Sequence, residues 1–292
     1  MSGSIQIAVI ADIHGNVPAL EAVLADFDRC PPDEVLVGGD LVGRGPEGSK
    51  VVQRIRDLGW RGVRGNHEDY VLSFRRQEVP ERWLHDDEWS ASRWMAAELS
   101  DQDIDYIAAL PFSLQSRKAP GLCLVHGSPE SNHEGLGVWS TGRQLGEHLG
   151  RIDGNVLVCA HTHRPMCRRL TGGIVVNVGA VGLPFNQDRR AQYAVLHVSA
   201  EECEAEFRQV DYDIERTIGA YESSGFLEHG RVTAQLLRME LEQAAPFLVP
   251  FTRWAESSGR PIAESQIESF LRFYDADEPM RAFLDRLESL RH

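Results

Sequence analysis

The sequence predicts an α/β fold, and three observations carry the prediction. Short apolar runs rich in β-branched residues recur as far as about residue 210 of the 292, most of them ending at a Gly, Asp or His. Helical patterns lie between several of these runs, the strand-then-helix repetition of βαβ units. From about Asp211 onward only helical spacing remains.

Taken in order, Ile5 to Ala11 (IQIAVIA) opens the series as a buried strand. Asn16 is placed to cap a helix through about Asp28, with Pro18 in its first turn. Glu34 to Val37 (EVLV) is the second strand, Pro46 opens a helix running to Leu58, and Gly62 to Arg64 gives a short third strand. Residues 68 to about 118 then break the rhythm. They hold Trp83, Trp89 and Trp94 among helical patterns, with Ser100 as a cap for Asp101 to Ala109, and read as a small helical insertion. On one continuous helix Trp83 and Trp94 would share a face, which leaves Trp89 free of the segment's own core, to pack against the main domain as most single Trp residues do, to wall a pocket or to stack on a base.

Strands resume at Gly121 to Val125 (GLCLV), Asn155 to Ala160 (NVLVCA) and Ile174 to Val178 (IVVNV). Gln192 to Val198 and Cys203 to Arg208 alternate as half-exposed strands do, and a short polar stretch between them predicts a β-hairpin. The tail includes Val232 to Gln243 and Glu264 to Tyr274 at helical spacing, its Leu, Met and Phe stripes suited to core or dimer contacts. The expected organisation is therefore a main domain over 1–210, with the insertion at about 68–118, and a helical appendage over 211–292.

Composition narrows the function classes. The apolar fraction of 42% and charged fraction of 25% are those of an ordinary globular protein, and no run approaches the about 18 apolar residues of a membrane span. Lys and Arg number 30 against 44 Asp and Glu, a net charge of −14 that repels nucleic acid at long range. Cys30, Cys123, Cys159, Cys167 and Cys203 are scattered and odd in number, which suits free thiols in a reducing compartment. Met1 to Gln6 lack the positive region of a secretory signal, so a cytoplasmic location is expected.

Metal-ligand side chains gather where the strands end. Asp12 and His14 stand in ADIHGN, Asp40 in GGDLVGRG, Asn66 and His67 in RGNHED, His126 in LVHG, and His161 and His163 in CAHTH. Ligand sites of open α/β sheets form at the carboxyl ends of strands, and residues two apart on an extended chain can point to the same side. A single D-x-H or H-x-H is a weak signal, but five such segments each following an apolar run predict a metal site. Imidazole nitrogens mixed with carboxylate and amide oxygens suit manganese, iron, zinc, cobalt or nickel and disfavour calcium, and manganese is the ion expected. Arg44, four residues after Asp40, reads equally as a phosphate clamp or as a solvated side chain of a Gly-rich loop.

These motifs, with the GDLVG-x-GP loop, resemble the calcineurin-like metallophosphoesterases over about residues 5 to 210. The resemblance implies a four-layer α/β/β/α sandwich with two mixed sheets and two divalent metal ions. Asp12, His14, Asp40 and His163 would hold one ion and Asp40, Asn66, His126 and His161 the other, with Asp40 as the bridge. His67 would be the general acid, and a metal-activated hydroxide would attack phosphorus. Two positions depart from the family pattern. Ala160 replaces the usual Gly before the H-x-H pair, and Gly43 stands where protein-phosphatase members carry an Asp that orients the acidic His.

The expected activity is hydrolysis of small phosphate esters, phosphodiesters first. Phosphomonoesters and dinucleoside polyphosphates are the alternative substrates, and a non-catalytic scaffold of the same fold is the alternative from another class. No stable nucleic-acid or membrane partner is expected, and a homo-oligomer remains open.

Overall fold

A computed structural model describes residues 4–199, 202–276, 278 and 280–288. The first strand, β1 (Ile5–Ile10), pairs in parallel with β2 (Glu34–Val37), which pairs in parallel with β3 (Arg61–Gly62). On its other side β1 meets β9 (Ala191–Val198) antiparallel, and β9 turns back into β10 (Cys203–Val210), the expected hairpin. This gives one sheet of order β10-β9-β1-β2-β3. The second sheet runs β4-β5-β6-β8-β7. Its parallel centre is β5 (Leu122–Val125), β6 (Val156–Cys159) and β8 (Gly173–Asn177), edged by antiparallel β4 (Ser113–Gln115) and β7 (Met166–Leu170).

Side chains alternate across a strand, and that period of two builds the layers. Ile7, Val9 and Leu36 point inward against Leu124, Val158 and Val176 of the second sheet. Ala8 and Ile10 point outward and are covered by α1 (Val17–Arg29), α2 (Gly48–Leu58) and α5 (Asp101–Ala109). On the far side, Leu157 and Val175 pack under Leu145 and Leu149 of α6 (Gly142–Leu149). Helix, sheet, sheet, helix is thus the layer order, with two mixed sheets.

Between β3 and β4 lie α3 (Asn66–Arg76), α4 (Ser90–Glu98) and α5. Trp83 and Trp89 sit in separate 3₁₀ turns rather than on one helix, and their rings stack at 3.6 Å. The expectation for Trp89 is therefore overturned: it belongs to the segment's own core, with Tyr70 and Phe74 against it. Trp94 faces the tail instead, 5.1 Å from Phe226.

The tail forms α7 (Ile214–Ser223), α8 (Phe226–Gln243), α9 (Leu248–Ser258), α10 (Ile267–Phe273) and α11 (Met280–Glu288). Phe251, Trp254, Phe270 and Phe283 build a core within it. A further cluster joins Ala91 and Met95 of α4 to Leu237 and Leu241 of α8, so insertion and appendage share one roof beside the sandwich. All five cysteines are free. Among the described residues no helix is long and apolar enough to cross a membrane.

Candidate metal centre

Every ligand predicted from sequence follows the end of a strand that lies parallel to its neighbour. Asp12 and His14 come after β1, Asp40 after β2, Asn66 after β3, His126 after β5, and His161 with His163 after β6. Parallel pairing puts those ends on one side of each sheet, and the sandwich brings the two sides together. The side chains converge in two groups, Asp12, His14, Asp40 and His163 in one and Asp40, His126 and His161 in the other, each with ligand atoms within 4.8 Å of one another. Asn66 joins the second, its Oδ1 lying 2.9 Å from His126 Nε2 and 2.8 Å from His161 Nδ1. Asp40 belongs to both groups.

The backbone is strained to hold them there. Asp12, His14, Asp40, His161 and His163 all adopt left-handed φ between 51° and 66°. Each such residue costs on the order of 1–3 kcal/mol and persists only where surrounding structure compels it. Gly65 permits the closest approach, because a Cβ there would lie 2.1 Å from Asp40 Oδ1.

The donor set fits a cation on two counts. His14 Nδ1 donates to the Val42 carbonyl at 3.0 Å and His163 Nδ1 to the Leu183 carbonyl at 2.5 Å. Both Nε2 atoms are then lone-pair acceptors, yet they face each other at 3.1 Å, an arrangement that a shared positive ion resolves. Asp12 Oδ1 is buried beside them with no hydrogen-bond partner, the orphan acceptor that an ion would satisfy.

Charge in the pocket divides unevenly. Burial and the neighbouring Asp40 push the Asp12 carboxyl well above the usual range, against the pull of His126. Burial opposes ionisation of Asp40 too, but His126 and His67 outweigh it and hold that carboxyl well below its ordinary value. His126 loses from burial and gains more from Asp40, ending at about 10. Burial holds His14 at about 4, and burial with the charge of His126 brings His161 to about 4 as well, so both are ready as neutral ligands. Burial and His14 keep His163 well below the imidazole norm.

Residues 5–201 match the family model of the calcineurin-like phosphoesterase superfamily domain. The chain belongs to that superfamily. A metallophosphoesterase of Sphaerobacter thermophilus is 26% identical, with a TM-score of 0.68 over 82% of this chain and 99% of that one. A protein of Pyrococcus horikoshii at 20% identity shares the fold, with a TM-score of 0.69 over 83% of this chain and all of that one. An uncharacterised protein of Methanocaldococcus jannaschii is 25% identical over 234 residues, 74% of this chain and 90% of that protein. A symmetrical bis(5'-nucleosyl)-tetraphosphatase of Hamiltonella defensa is 34% identical over 110 residues, 35% of this chain and 37% of that protein. This phosphoesterase is a phosphoric ester hydrolase, and its Asp and His clusters are those of a divalent-metal site.

His67 and Arg44 lie at the edge of the phosphoesterase's two clusters. The His67 ring stands 4.9 Å from that of His14, and its backbone N–H donates to Asp40 Oδ1 at 2.9 Å. Arg44 Nε donates to His67 Nε2 at 3.2 Å, which makes Nδ1 the protonated nitrogen of the neutral ring. The ring covers Gly43 so closely that a Cβ there would meet Nδ1 at 2.2 Å, and Gly43 is itself left-handed at φ 80°. The Asp of protein-phosphatase members cannot be accommodated with His67 in this place, and Arg44 partners the ring instead. Burial, helped by His14 and Arg44, outweighs Asp40 and keeps His67 well below the usual range.

Two supporting residues escaped sequence reasoning. Glu68 is fully buried, and its carboxylate accepts from the backbone N–H groups of Asp40, Leu41, Val42 and Gly65 at 2.8 to 3.2 Å. It shapes the loop that presents Asp40. Its place three residues after Gly65, at the start of α3, was the available signal. Burial, with Asp40 nearby, lifts it to about 7. Asn177, at the end of β8, donates through Nδ2 to the carbonyls of Ala160 and Leu136 at 2.6 and 3.0 Å and so braces the turn before His161. Ala160 itself tucks its added methyl into the inter-sheet core.

Proposed function

We propose that this phosphoesterase hydrolyses small phosphate esters, phosphodiesters foremost, using two divalent transition-metal ions with manganese as the first choice. The observation that carries the reading is the pair of converging ligand clusters that share Asp40. Asp12, His14, Asp40 and His163 would hold one ion, and Asp40, Asn66, His126 and His161 the other. When bound, such ions supply Lewis acidity and a water of lowered pKa. The chain's own part is to orient the phosphate, to hold a proton for the leaving oxygen on His67 and to set the charge of the pocket. A bound phosphate adds negative charge beside the His67 ring and so raises its affinity for that proton. Arg44 is the phosphate-binding cation, one guanidinium edge from His67.

Small substrates are favoured over phosphoproteins because the ligands are buried and the insertion and appendage roof one side of the site. Dinucleoside polyphosphates form the second reading, favoured by tetraphosphatase relatives that match 35% and 22% of the chain. The test is a Mn(II)-loaded panel: a nitrophenyl diester, its monoester, a dinucleoside tetraphosphate and a phosphoserine peptide. The diester should give the highest kcat/KM. A best rate on the tetraphosphate moves the assignment to the second reading, and a best rate on the peptide defeats both.

A further inference from the structure

Glu240, on α8 of the appendage, has no exposed surface. A buried carboxylate is tolerated only where both oxygens are paired. Its Oε1 accepts from the backbone N–H groups of Phe247 and Leu248 at 2.8 and 2.9 Å, at the start of α9. Its Oε2 accepts from Arg44 Nη1 at 2.6 Å. One side chain thus fastens two helices of the appendage to the loop that follows Asp40. Tyr221 of α7 grips the same residue from the other side, its hydroxyl donating to the Arg44 carbonyl at 2.6 Å. Arg44 is itself left-handed, at φ 62°.

The remaining contacts of Arg44 lead to the metal clusters. Its Nε meets His67, and its Cζ lies 5.8 Å from the Phe185 ring, which stacks on His163 at 4.4 Å. Its Nη2 has no partner among the described residues. We infer that Glu240 is a positioning residue for phosphate-ester hydrolysis: it fixes the Arg44 guanidinium so that Nε orients His67 and Nη2 is left for a phosphate oxygen. This rests on the functional reading above. An unrestrained arginine would lose rotamer freedom on gripping phosphate, and holding it beforehand removes that cost from binding.

A double-mutant cycle tests it on the full-length, Mn(II)-loaded protein. Glu240→Gln keeps an acceptor for the Phe247 and Leu248 amides but withdraws the charge from Arg44, and Arg44→Ala removes the guanidinium. Glu240→Gln should raise KM for a nitrophenyl diester and weaken calorimetric binding of inorganic phosphate by about tenfold, with metal content unchanged. In the Arg44→Ala background the same substitution should add nothing. Equal losses in both backgrounds, unchanged KM and phosphate binding, or a gain in rate would each overturn the inference. Should Glu240→Gln fail to fold, Arg44→Lys keeps the buried pair charged while losing the planar fork, and it should raise KM likewise; an unchanged KM there counts against the inference. Wild-type protein inert toward every phosphate ester would instead defeat the functional reading, and the phosphate-binding cycle would still decide the role of Glu240.

Discussion

The residues that the fold gathers into two clusters were legible in the sequence because D-x-H, G-D, G-N-H, H-G and H-x-H each stood at the end of an apolar run or short strand. What holds them was not legible, since Glu68 and Glu240 act on backbone amides and on Arg44 from 28 and 196 residues away in sequence. Such partners become visible only when the chain is folded. At this scale three substitutions separate the proposed roles. Asp40→Asn should lower occupancy at both clusters together, whereas Asn66→Ala should empty only the second; metal analysis after gel filtration distinguishes them. His67→Ala should keep its metal and lose ~10²–10⁴-fold in rate on alkyl esters, and much less on nitrophenyl esters, whose leaving group needs no proton. Equal losses on both would count against a proton-donating His67.

At the scale of elements, the buried strands and the capped helices α1 and α5 were read from sequence with little error, because apolar runs and caps are local signals, whereas α6, capped by Thr141, went unassigned. The edge strands of the second sheet went unread. Ser113–Gln115 is three residues long, and Met166–Leu170 carries Arg168 and Arg169 on a half-exposed edge, so neither shows an apolar run. Helix α3 also went unassigned at its true start, since Asn66, its first residue, was read as a ligand at the end of a strand. The cap of α1 shows how one side chain ties distant elements together. Asn16 Oδ1 accepts from Ala19 N–H at 3.1 Å and from Thr217 Oγ1 at 2.9 Å, and its Nδ2 donates to the Gly182 carbonyl at 2.9 Å. Asn16→Ala should therefore cost about 2–3 kcal/mol, more than the roughly 1 kcal/mol of a surface cap. A urea midpoint shift worth under about 1 kcal/mol would show that the cross-links to α7 and the Gly182 loop contribute nothing.

For the whole molecule, two sheets bring the cluster residues together from opposite sides and two helical additions close one edge, so proposed metal binding should be linked to protonation in the pocket. The sign of the pH dependence follows from His126 and Asp12. Against burial, Asp40 pushes the His126 imidazole up to about 10 in the pocket, and an ion would have to displace its proton, so apparent metal affinity should fall as pH falls, by about tenfold per unit for each proton released. The raised Asp12 carboxyl acts in the same direction. Calorimetry in two buffers of different protonation enthalpy should find at least one proton released per chain at pH 7, and none would refute the linkage. If two metal ions that share Asp40 drive hydrolysis, the rate of diester hydrolysis should follow measured metal content. Metal-depleted protein should be inert and should regain its rate on addition of Mn(II), reaching a plateau at two ions per chain; full activity in protein shown by elemental analysis to hold no transition metal would contradict it.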